Sequence, residues 1–209
     1  MAKLLTLLLA FACFLSLSCG GGATPPRNAK TGLVTGVKPE PDAEVAVIEM
    51  ENSSAYGTIT LELYSNIAPK AVARFKELAK EGVYNGTTFH RINASVIQGG
   101  DPNSKDEDPN NDGMGSSNKP NVPAEFSDIP YDTGILGAAR GQDINSANSQ
   151  FFITLKREAG FDKKYTIFGK VIDGMNNVRT ISGVTPKTGQ MGERPVEPVR
   201  IKSVTIKPR

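Results

Sequence analysis

The stretch Phe89-His90-Arg91-Ile92-Asn93-Ala94-Ser95-Val96-Ile97-Gln98-Gly99-Gly100-Asp101 constrains this chain more than any other. Phe89, Ile92, Val96 and Ile97 supply the apolar surface of a buried strand pair. Gly99-Gly100 lets the backbone turn where a side chain would clash. Inside this run, otherwise fit to be a buried strand pair, stand Arg91 and Gln98, seven residues apart. Successive residues of a strand face opposite ways, so His90 points away from Arg91 and reads as structural. A second stretch answers the first: Leu136-Gly137-Ala138-Ala139-Arg140, followed by Asn148-Ser149-Gln150-Phe151-Phe152-Ile153.

The surrounding sequence is a succession of short strands. Val45–Met50 and Gly57–Tyr64 read as two of them, the second alternating cleanly with Ile59, Leu61 and Leu63 on one face. Asn52-Ser53-Ser54 between them reads as a hairpin turn. A helix is expected next, with Pro69 near its start, Gly82 past its end and an apolar stripe of Val72, Phe75 and Ala79. Further strands are expected at Ile135-Leu136, Gln150–Leu155, Tyr165–Val171 and Val199–Ile206. A short helix carrying Met175, Val178 and Ile181 precedes the last of them. Many short strands with two helices suggest a mainly β domain: a closed barrel, capped at both ends.

The two stretches together strongly resemble the cyclophilin family of peptidyl-prolyl cis–trans isomerases, whose signatures read much like FHR…QGGD and SQFF. The resemblance runs in order from about Val45 to about Ile206. It implies a closed eight-stranded antiparallel β-barrel with two capping α-helices and a substrate groove on the outer face. It also implies isomerisation of X-Pro bonds, with no cofactor and no metal. By resemblance Arg91 is the catalytic donor to the prolyl amide. Gln98 and Gln150 then orient Arg91 and the peptide, and Phe152, Phe161 and Tyr165 form the walls and rim of the proline pocket. Ala139 and Arg140 would offer backbone groups to the substrate, and Gly113 lies in the Gly-rich loop edging the groove. Without the family, Phe152 and Phe161 read as core.

This sequence departs from the family in three places. The segment from Arg91 to Gln98 is one residue shorter, so Ser95 or Val96 stands where an aromatic residue floors the pocket. Tyr165 replaces a histidine, and the family's tryptophan is absent, with Gly160-Phe161 in its neighbourhood. A proline-peptide binding module with weak or no turnover is the alternative that these changes leave open.

The remaining segments set the context. Lys3 and the apolar run Leu4–Leu17 read as a signal peptide over residues 1–18, too short to span a bilayer. Ser16-Leu17-Ser18-Cys19 then resembles a lipobox, making Cys19 the lipidated N-terminus of an exported lipoprotein. Residues 19–43, rich in Gly, Pro and Thr, read as a flexible tether to an isomerase domain at 44–209. Within the polar loop 102–123, Asp108–Gly113 matches the first half of an EF-hand loop, but Lys119 occupies the position that needs a glutamate. A net charge of +2 carries no nucleic-acid footprint. The expected partners are proline-containing peptides, unfolded exported proteins and, through the lipid, a membrane; a monomer is expected.

Overall fold

The computed structural model describes residues 32–186 and 193–209. The expected signal peptide, Cys19 and the tether up to residue 31 lie outside the described residues. Eight antiparallel strands form one sheet: β1 (Glu44–Met50), β2 (Thr58–Leu63), β3 (Arg91–Ile92), β4 (Val96–Gly99), β5 (Ile135–Ala138), β6 (Phe151–Thr154), β7 (Ile167–Asp173) and β8 (Ile201–Pro208). Their spatial order is β3-β4-β6-β5-β7-β2-β1-β8. Three α-helices punctuate the chain: α1 (Ser53–Tyr56), α2 (Pro69–Lys80) and α3 (Met175–Ser182). The expected hairpin turn at Asn52–Ser54 is therefore a short helix, because the Asn52 side chain accepts Ala55 N–H and caps it.

Register assigns each residue to a face. Directly opposed residues form one row across the sheet, Ile92, Ile97, Ile153 and Leu136, and all four are buried. This row joins Ile48, Ile59 and Leu61 in the main core, covered by Val72, Phe75 and Leu78 of α2 and by Val178 and Ile181 of α3. Helix α2 begins at Pro69, but Ala68 before it offers no side-chain cap. The cap comes from a distance: the buried Glu125 carboxylate accepts Lys70 N–H at 3.0 Å and Ala71 N–H at 2.9 Å. A carboxylate there satisfies two orphan donors and suits the positive end of the helix dipole.

The neighbouring row runs along the opposite face: Arg91, Gln98, Phe152, Gly137 and Ile167. Here a second apolar cluster forms, including Val96, Tyr131, Ile135, Phe152 and Ile167, with Phe161 and Tyr165 partly buried against it. Gly137 makes this cluster possible. A Cβ at that position would come within 2.4 Å of the Phe152 ring and 2.7 Å of the Tyr131 hydroxyl. Gly100 turns the chain as its sequence suggests, at φ +81°, where a Cβ would meet the Ser149 carbonyl at 2.7 Å.

Two expectations need correction. The strand ladder is a half-barrel, not a closed barrel, since the pairing runs from β3 to β8 without joining them. The gap is spanned instead by an isolated bridge, Thr88 to Arg200, flanked by Phe89 N–H to the Val199 carbonyl and Ile201 N–H to the Thr87 carbonyl. β3 is only two residues long, too short to carry a ladder on both edges. Nor is the segment before residue 44 a free tether throughout. Val34 is fully buried in the second cluster and bridges Ser127, while the Asn66 side chain binds the Lys38 carbonyl and Glu40 N–H. One buried valine and a row of backbone hydrogen bonds dock the chain from residue 32 onward, despite its low overall hydrophobicity.

Candidate active site

The outer-face row brings the sequence-predicted residues together around one cavity of about 80 Å³. Val96 and Phe152 form its floor, 2% and 4% exposed, and Ala139 lies beside them. Of the two candidates for the floor, Val96 takes the position; Ser95 turns away and donates to Glu158 at 2.6 Å. Phe161 and Tyr165 stand edge-on to the Phe152 ring, with centroids 5.7 and 5.6 Å from it. Tyr131 stacks against Phe152 from behind, at 5.7 Å. This mutual packing fixes the aromatic walls without a ligand.

Polar groups close the other side. Arg140 extends along the rim, its guanidinium 4.6 Å from the centre of the Tyr165 ring and hydrogen-bonded to the Lys164 carbonyl at 3.0 Å. It braces Tyr165 as well as carrying the backbone at the groove edge. Arg91 projects from β3 with 46% of its side chain exposed. Its Nη1 donates to Gln98 Oε1 at 3.2 Å, and its Nε donates to Glu193. Gln98 Nε2 in turn donates to Gln150 Oε1 at 2.9 Å, and Gln150 Nε2 donates to the Gly113 and Gly115 carbonyls at 3.1 and 2.9 Å. Carbonyls can only accept, so Gln150 must present its oxygen to Gln98, and Gln98 its oxygen to Arg91. The backbone of the Gly-rich loop thereby sets the direction of every amide in the chain.

Gln150 and Gly113 line a larger adjoining cavity of about 350 Å³, which shares Gln98, Ala139 and Arg140 with the slot. The groove is thus one small slot with aromatic walls and a rim of Arg91, Gln98 and Arg140, adjoining a wider polar trough. Glu193 was not legible as a site residue. Burial pushes its carboxyl up, but hydrogen bonds from Arg91 and Asn93 and the Arg91 charge outweigh this and hold it below the usual glutamate range. His90 faces inward, 5% exposed, with its ring against the Thr88 backbone. Burial is the main cause that pushes its pKa down to about 4, aided by the Arg194 and Arg91 charges against the opposing pull of Asp101.

The half EF-hand is committed elsewhere. Asp112 pairs with Arg194, and the Asp108 carboxylate accepts from Asn110. Among the described residues, no group of three or more His, Cys, Asp or Glu could hold a metal ion.

An aromatic slot beside an amide-steered guanidinium, on the outer face of an antiparallel half-barrel, is the arrangement of a cyclophilin-like fold. The model of the family described as cyclophilin-type peptidyl-prolyl cis–trans isomerase matches residues 47–206. A probable peptidyl-prolyl cis–trans isomerase of Brucella suis is 39% identical over 178 residues, covering 83% of each chain. Mouse peptidyl-prolyl cis–trans isomerase-like 1 is 40% identical over 156 residues, covering 71% of this chain and 86% of its own. A crystal structure of a Cryptosporidium parvum cyclophilin-type isomerase, determined in the presence of the dipeptide Ala-Pro, superposes with a TM-score of 0.69 at 29% identity, covering 79% of this chain and 99% of the other. The chain belongs to the cyclophilin-type peptidyl-prolyl cis–trans isomerase family.

Proposed function

We propose that this isomerase accelerates rotation about X-Pro bonds by seating the proline ring in the slot floored by Val96 and Phe152 and donating from Arg91 to the prolyl nitrogen. Rotation is slow because amide resonance sets a barrier of about 18–20 kcal/mol, while the two isomers differ by only about 0.5–1 kcal/mol. As the bond twists, resonance is lost and the nitrogen becomes pyramidal, with a lone pair able to accept a hydrogen bond. A donor engaged more strongly in that twisted state than in either planar state lowers the barrier. The observation that carries this reading is the guanidinium steered by Gln98 beside a slot sized for one small ring. The Ala-Pro dipeptide present with the Cryptosporidium relative supports the same ligand chemistry here.

Exchange spectroscopy on an Ala-Pro peptide tests the reading directly. Cis–trans exchange accelerated by the wild type and lost in Arg91→Ala supports it; binding without acceleration would leave a proline-peptide binding module instead. Val96 is the residue that favours this second reading, because an aliphatic floor grips the ring less than an aromatic one.

For the setting, we propose an exported and membrane-attached protein, on the apolar run Leu4–Leu17 and the lipobox-like Ser16–Cys19 that ends it. Two acyl chains on Cys19 would give stable anchoring, with unfolded exported proteins as clients and the domain acting as a monomer. Mass spectrometry of the mature N-terminus checks this: lipid on Cys19 is expected, and an unmodified N-terminus at Cys19 or Gly20 ends the proposal.

A further inference from the structure

Glu193 has no part in the mechanism proposed above, yet it is held with care. One carboxylate oxygen receives Arg91 Nε, and the other receives Asn93 Nδ2 at 3.0 Å. Its backbone carbonyl accepts Ile92 N–H at 2.5 Å. Asn93 cannot turn its amide round, because its oxygen accepts Ser95 N–H at 2.9 Å and Val96 N–H at 3.0 Å. The next residue, Arg194, pairs with Asp112 and fastens the same stretch to the Gly-rich loop. The shortened Arg91–Gln98 segment and the residue-193 stretch thus converge on one guanidinium edge.

Building on the isomerase reading, we infer that Glu193 is a positioning residue for the reaction. It holds Arg91 Nε while Gln98 holds Nη1, leaving Nη2 as the donor for the prolyl nitrogen. Arg91 needs such a holder. It stands on a two-residue edge strand, and a long side chain nearly half exposed would otherwise sample many rotamers. Both partners of the pair are about half exposed, at 46% and 50%, so it adds little to stability. Its effect lies in orientation, where small displacements of a reacting group are costly. A brake is the opposite role open to the same carboxylate, neutralising the cation that the substrate needs.

Steady-state isomerisation of an Ala-Pro tetrapeptide by the full chain separates these roles. Glu193→Ala should lower kcat by roughly 3–30-fold, within the range that misplacement of a catalytic group produces. KM should move by less than about two-fold, since an interaction that acts on the twisted state is lost. Glu193→Gln should fall between wild type and Glu193→Ala, because its amide oxygen still accepts from Nε while its NH2 faces the fixed Asn93 donor. Placed on Arg91→Ala, the Glu193→Ala change should add nothing, which a merely structural role would not predict. An unchanged or raised kcat in Glu193→Ala, or the same further loss on the Arg91→Ala background, overturns the inference. Arg91→Ala at wild-type rate would instead sink the isomerase mechanism itself; a slow Arg91→Ala beside a normal Glu193→Ala sinks only the positioning role.

Discussion

In the mechanism proposed above Arg91 stabilises a transient geometry, and its contribution can be sized. A charge-assisted hydrogen bond is worth about 1.5–3 kcal/mol, which at about 1.36 kcal/mol per decade corresponds to a loss of roughly 10–100-fold in kcat/KM for Arg91→Ala. Arg91→Lys should recover little, since a point charge cannot be held at one edge while donating from another. His90 tells a different story, about stability. Its folded-state pKa of about 4 lies below the 6.5 of an exposed imidazole. The unfolded chain therefore binds a proton first as pH falls. Stability from this group is full above about pH 6.5, declines between there and pH 4, and levels off below, by up to about 3 kcal/mol. Urea midpoints of wild type and His90→Phe across that window test it; wild type and variant falling in parallel would refute it. Turnover, by contrast, should stay flat between about pH 6 and 8, because an inward imidazole with a pKa of about 4 stays neutral across that range. Tyr131 supplies a third test. Its buried hydroxyl finds no hydrogen-bond partner among the described residues, so Tyr131→Phe should be neutral or stabilising in thermal melts.

Elements formed by local pattern were legible in the sequence; those formed by distant partners were not. The alternation of Ile59, Leu61 and Leu63 gave β2, and Pro69, Gly82 and a 3.6-residue stripe gave α2. The face assignment of Arg91 against His90 followed from the same two-residue period. The cap of α2 carries no local signal, because Glu125 reaches it from 54 residues away. Glu125→Ala should therefore leave the helix start uncapped and cost about 1–3 kcal/mol, read as a lower urea midpoint; an unchanged midpoint would show that water replaces it. Glu193 was missed for the same reason, lying 102 positions along the chain from Arg91. The closed barrel was overestimated because strand count says nothing about the last seam, which depends on whether a two-residue β3 can pair twice.

At the scale of the whole molecule, the folded unit begins earlier than residue 44. A chain starting at residue 44 loses the burial of Val34, worth about 1.5–3 kcal/mol, along with the Asp42 contacts to Lys76 and Ser65. It should melt well below a chain starting at residue 32, and equal melting temperatures would restore the longer tether. The seam has a consequence for biosynthesis. Among the described strands β8 comes latest in the chain, yet it pairs with β1, the earliest, and Val199, Arg200 and Ile201 at its start bond segment 86–89, which runs directly into β3 and Arg91. A nascent chain that still lacks β8 leaves β1's outer edge unpaired and is without these bonds on the approach to Arg91. Such pairing across nearly the full sequence is slow to form and comes late. Activity should therefore appear only once β8 has docked on β1, later than the locally formed elements.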